Sequence, residues 1–182
     1  MTDPVPGAAG ALDFDLDGEP GSGPSVFGYD ALTEVEDAAL VDDVNAALHE
    51  PDADTGWIAM PEAYECTGAS EYRSLLWDDI RLVLARRAVT TGSTTYLSAW
   101  SVGDVTLTFS PPLDAEIERA SGITTSDGIG LGTSVDRLDE VEWYQSYRDG
   151  DRFFGLAGIG PVIFQLDGAG DVTAMSFEQN DC

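Results

Sequence analysis

From Arg73 to Phe177 the bulky apolar residues come in runs of four to eight, cut by Asp, Gly and Thr, and none is long enough to make a buried helix. The runs 74–77, 80–85, 95–102 and 105–109 are broken by Asp78-Asp79, Thr91-Gly92-Ser93 and Gly103-Asp104. This punctuation predicts short strands, and Gly103-Asp104 has the form of a two-residue hairpin. The same texture returns at 153–157, 162–166 and 172–177. In the last two runs Val162, Phe164 and Leu166 face Thr173, Met175 and Phe177, so each strand has one consistent side. The intervening DGAGD predicts a terminal hairpin.

Residues 30–48 follow a different period. Leu32, Val35, Ala39, Leu40, Val44, Ala47 and Leu48 recur mostly three or four apart with acids opposite, which predicts an amphipathic helix. Asp30 or Thr33 can cap its start, Thr33 and Glu36 stand at capping-box spacing, and Pro51 lies past its end. Glu34, Glu36 and Asp37 suit the positive end of the helix dipole. Val135, Leu138 and Val141 predict a second, shorter helix opened by Thr133 or Ser134. Each helix follows a glycine-containing approach, Phe27-Gly28-Tyr29 and Gly130-Leu131-Gly132-Thr133-Ser134, which reads as an internal duplication. The expected architecture is α+β over residues 27–182, built from two half-repeats at about 27–110 and 121–182. Each would be a helical segment packed on an antiparallel β-sheet. Residues 1–26 are dense in Gly, Pro, Ala and Asp and bury too little to offset their ordering entropy, which predicts a flexible acidic tether.

Charge narrows the range of partners. Against 34 acidic residues stand 8 basic ones, every one an arginine, for a net charge of -26. Such a field repels nucleic acid and anionic membranes, and no apolar run approaches the roughly 20 residues of a membrane span. Much enzymology is excluded as well. His49 is the one histidine, and Cys66 and Cys182 are 116 positions apart (182 − 66), so neither a multi-histidine site nor a CxxC zinc cluster is available. There is no GxSxG elbow and no lysine for Schiff-base or phosphate-loop chemistry. Carboxylate pairs such as Asp78-Asp79 and Glu140-Glu142 remain, but a chain this acidic produces them by chance, and no enzymatic activity is expected.

Asp13, Asp15, Asp17 and Gly18 match the opening of a calcium loop, yet its twelfth position would be Pro24, where the bidentate acid belongs. Calcium there, or at Asp52 and Asp54, is the sole cofactor the sequence offers. Gly128, Gly130 and Gly132 read as a tight turn into a helix, because the acids around them would repel a phosphate. Cys66 and Cys182 form either one disulfide or two free thiols. In a secreted protein the even count favours the bridge, which would close 117 residues (182 − 66 + 1) and stabilise by about 4–5 kcal/mol. Trp143, Tyr144 and Tyr147 form a candidate interaction surface, with Trp57, Tyr64, Tyr72 and Trp100 as further aromatics, since Trp and Tyr dominate binding hot spots. Arg86-Arg87 is the one local basic patch and is expected to pair with the surplus acids.

The stretch DGIGLGTSVDRLDEV, preceded by Gly122-Ile123-Thr124-Thr125, and the stretch LHEPDADTGW at residues 48–57 resemble uncharacterised secreted proteins and lipoproteins of high-GC actinobacteria. The glycine-spaced approach to the second helix is similar, more distantly, to the small-lipoprotein domain of the outer-membrane barrel assembly machinery and to the tandem β-lactamase inhibitory protein. Cys66 and Cys182 fall one in each half, where the inhibitor pattern has local pairs, so a β-lactamase target is not implied. What the resemblance implies is a protein-binding or structural module outside the cytoplasm, secreted or held by a lipid anchor upstream, with no catalytic residues. Two other readings follow from the acid surplus: a calcium- or salt-dependent surface or adhesion module, and an acid-adapted cytosolic protein of a halophile.

Overall fold

The computed structural model describes residues 25–26, 29–32, 34–61, 68–90, 92–108, 110–113, 115, 122–125, 128–157 and 160–178. In chain order its elements are β1 (Ser25–Val26), β2 (Tyr29–Asp30), α1 (Asp37–Ala47), β3 (Ala53–Asp54), β4 (Ile58–Ala59), β5 (Glu71–Trp77), β6 (Ile80–Val89), β7 (Gly92–Gly103), α2 (Val135–Leu138), β8 (Gln145–Asp149), β9 (Arg152–Ala157), β10 (Gly160–Leu166) and β11 (Val172–Glu178). Nine strands form one antiparallel sheet in the order β3-β5-β6-β7-β11-β10-β9-β8, with β4 also against β5; β1 and β2 pair separately.

This architecture corrects the α+β expectation. The protein is mostly antiparallel sheet, with helices of only 11 and 4 residues among the described ones, rather than two half-repeats each with its own helical layer. The first helix is shorter than its periodicity predicts because its leading third is taken by the sheet. Leu32 N–H donates to Leu97 O at 2.8 Å and Val35 N–H to Thr95 O at 2.9 Å. That part of β7 lies beyond the end of β11, whose pairing with β7 stops at Ala99. The segment thus satisfies edge groups that would otherwise stay open, and tertiary pairing overrides helical period. The helix starts after Glu36 with no side-chain cap, and Asp30 belongs to β2.

The β5–β6, β6–β7 and β10–β11 hairpins form where the sequence places them. Val162 pairs with Phe177 and Phe164 with Met175, and a bulge at Gln165/Leu166 then sets Leu166 opposite Val172. Asp167 closes the connecting loop, its Oδ1 accepting the N–H groups of Ala169 (2.8 Å) and Asp171 (3.0 Å). These bonds favour the carboxylate and hold its pKa below the usual range. Gly103-Asp104 is not a hairpin. Gly103 ends β7 at φ 87, a Cβ there would press against the Thr173 carbonyl, and the strand beside it is β11. Past that point 105–107 is not strand, and Leu107 instead buries in a small cluster with Val83 and Ala99.

The main core lies on the other side of the sheet. Leu75, Trp77, Ile80, Leu82, Trp100, Phe153, Phe164 and Phe177 pack there with Leu40 and Val44 of α1 and Leu138 of α2. Polar contacts fix α1 over it. Trp77 Nε1 donates to Asn45 Oδ1 at 2.9 Å, and Asp37 lies 3.9 Å from Arg73 and 3.7 Å from Arg86. Tyr29 donates to Asp43 at 2.6 Å, and the neighbouring carboxylate pushes its phenol up to about 12.

Candidate functional site

The open margin of the sheet is β8. Its five residues are all exposed, and among the described strands only β9 pairs with it. The opposite margin ends in β3 and β4, of two residues each, too short to template another chain. On β8 the registers build a row across one face: Tyr147 opposite Phe154, Phe154 opposite Ile163, Ile163 opposite Ser176. Tyr147 and Phe154 stack with centroids 4.5 Å apart at 4° between planes. Tyr147 is 51% exposed, and Tyr144, just before the strand, is 89% exposed.

Trp143 behaves otherwise. Its indole is half-buried against Phe153 (5.9 Å) and Phe164 (5.8 Å), and its Nε1 donates to the Leu138 carbonyl at 2.8 Å. Of the three aromatics that the sequence groups as a surface, the fold turns Trp143 inward to lock α2 to the sheet and leaves the two tyrosines outside. Tyr72 and Trp100 are buried, while Trp57 carries the Arg86 guanidinium 3.8 Å above its ring. Arg86 also reaches Glu71 at 3.4 Å, and Arg87 lies over Tyr96. The basic patch is thus engaged with acids and rings.

A second cluster assembles where α1 ends. His49, Asp52 and Asp78 each place one ligand atom within 4.8 Å of the others. His49 Nδ1 lies 2.6 Å from the Glu50 carbonyl and Nε2 3.3 Å from Asp78 Oδ2. Asp52 Oδ2 accepts the Asp78 N–H at 2.7 Å. Asp78 sits in the β5–β6 turn at φ 50, a conformation that glycine adopts more cheaply. The Glu50 hydrogen bond raises the His49 pKa, Asp78 and Asp52 adding to it against burial. No motif marks this cluster, because positions 49, 52 and 78 meet only after β5 and β6 fold back.

The other candidates are kept apart. Asp54 has a different partner from Asp52: it grips Arg73 in a two-point pair of 2.9 and 2.6 Å, which lowers its pKa. Asp79 is buried, and Glu140 pairs with Arg137 at 2.6 Å. The glycine-rich turn directs its N–H groups inward: Gly128 to Thr125 O, Gly130 to Thr133 Oγ1 and Gly132 to Val172 O. Asp13, Asp15, Asp17, Tyr64, Cys66 and Cys182 lie outside the described residues. In comparisons with protein-family models, curated proteins and solved structures, the chain matches none.

Proposed function

We propose that this domain is a non-enzymatic protein-binding module, acting outside the cytoplasm, that takes an extended basic segment of its partner along the outer edge of β8. The observation that carries this reading is the pair of exposed tyrosines, Tyr144 just before a fully exposed edge strand and Tyr147 at its centre. An open strand edge supplies main-chain hydrogen bonds in register, and aromatic side chains beside it supply contact area at small entropic cost. Charge favours a basic partner and disfavours a second copy. Between Asp136 and Arg152, the stretch that contains β8, six acids stand against three arginines, and the whole chain carries -26. The extracytoplasmic setting rests on the resemblance to secreted proteins and lipoproteins.

Panning a displayed library of random peptides against the full chain tests this. Enriched peptides should be basic and β-forming. Tyr144→Ala and Tyr147→Ala together should weaken them by about tenfold or more, with the fold retained and melting lowered only by the loss of the Tyr147–Phe154 stack. Binders lacking basic residues, or indifferent to both tyrosines, would refute the reading.

A further inference from the structure

We propose that His49, Asp52 and Asp78 form a mononuclear site for a divalent transition metal of the zinc or nickel class. This rests on observations separate from the β8 edge. The three residues come from three segments: His49 follows the C-cap of α1, Asp52 precedes β3, and Asp78 occupies the β5–β6 turn. Sequence spacing does not bring them together; the packing of α1 over β5 and β6 does.

The histidine gives the cluster its chemical direction. With Nδ1–H donated to the Glu50 carbonyl, the remaining ring nitrogen, Nε2, directs its lone pair at Asp78 Oδ2, 3.3 Å away. Two lone pairs in that position repel unless a cation lies between them, a proton on Nε2 or a metal ion. A backbone carbonyl holding the far ring nitrogen is the usual outer support of a metal-bound imidazole, because it fixes the tautomer and the ring plane. The 3.3 Å between Nε2 and Asp78 Oδ2 also fits, since bonds of 2.0–2.2 Å to nitrogen and oxygen set neighbouring ligand atoms about 3.0–3.5 Å apart in octahedral or tetrahedral geometry, and Asp52 offers an oxygen within 4.8 Å of both. Asp52 is steadied in turn by the Asp78 N–H at 2.7 Å.

Access and charge agree with this. The side chains of His49 and Asp78 are 34% and 14% exposed, so a bound ion would be reached from solvent and keep water in its remaining positions. Exposed carboxylates elsewhere on the chain hold hard cations loosely and without preference. One imidazole among carboxylates shifts preference toward zinc, nickel and cobalt over calcium and magnesium.

The experiment uses the full chain with its thiols alkylated, titrated with Zn2+, Ni2+ and Ca2+ by calorimetry, beside His49→Gln and Asp52→Asn. Wild type should bind one equivalent of Zn2+ or Ni2+ at least tenfold tighter than either variant, with Ca2+ failing to compete at equal concentration. Because His49 is the one histidine, its ring 15N resonances report without ambiguity. With Zn2+, which is diamagnetic, Nε2 should shift while Nδ1 stays protonated, a readout on wild type that holds even if a variant fails to fold. Zn2+ binding equal in wild type and His49→Gln, a ring left unmoved at saturation, or Ca2+ displacing Zn2+ at parity would overturn the site and leave only a diffuse cation atmosphere on an acidic surface.

Discussion

Gly155 has no side chain because the Trp143 indole occupies the space a Cβ would fill. Gly155→Ala must therefore push the ring off Phe153 and Phe164, and we expect a loss of about 1–3 kcal/mol, measured by urea unfolding. An unchanged midpoint would mean that Trp143 does not pack as described. His49 gives a pH prediction. Its folded-state pKa is raised, chiefly by the Glu50 carbonyl, so the stability it adds is fully present below the unfolded value of about 6.5 and lost as pH rises through the higher folded value. In chelator-treated protein the melting temperature should fall as pH rises from about 6.5, and His49→Gln should flatten that slope. Parallel slopes would contradict the contacts of the His49 ring with the Glu50 carbonyl and Asp78. At this scale the sequence spoke unevenly. Trp143, Tyr144 and Tyr147 could be singled out, but only the fold separates an inward indole from two outward phenols. The alternation of acids and apolar residues carries no trace of the meeting of His49 with Asp78.

Among the elements, the terminal hairpin and β5 to β7 were legible because their apolar runs and turn residues agree with the pairing they adopt. β8 was not. Gln-Ser-Tyr-Arg-Asp has no apolar face, since it lies at the margin of the sheet with every residue exposed. The first helix was read too long for the opposite reason: Leu32 and Val35 have helical spacing, but they complete the edge of β7, where Val35 is buried and Leu32 packs partly buried against the core. The β3 margin depends on one charged pair. Arg73 Nε and Nη2 hold both oxygens of Asp54, while the Gly56 N–H donates to Oδ1. Asp54→Asn keeps the shape and removes the charge. We expect a loss of about 1–2 kcal/mol, after allowance for partial solvent screening, read from the denaturation midpoint at pH 7. Because Asp54's pKa is depressed, the difference between variant and wild type should shrink as pH falls through and below the carboxylate range. A difference that persists in acid would place the effect elsewhere.

At the scale of the molecule the sheet is continuous from β3 to β8, and its two margins are unlike: one is split into two-residue pieces beside a charged clasp, the other is a five-residue strand with tyrosines. The duplicated helix-and-strand order in the sequence led to an α+β expectation because helical period was counted where sheet pairing prevails. Charge, in contrast, was legible at once, and under the proposed reading it favours a basic segment at the open margin. The most direct test is amide hydrogen exchange across the sheet, with and without a basic peptide selected on the full chain. Free protein should exchange slowest in β6, β7 and β11 and fastest, among the longer strands, in β8. With peptide bound, β8 should gain about tenfold protection or more while β3 and β4 stay unchanged. Protection at the β3 margin, or none in β8 at saturation, would contradict the account.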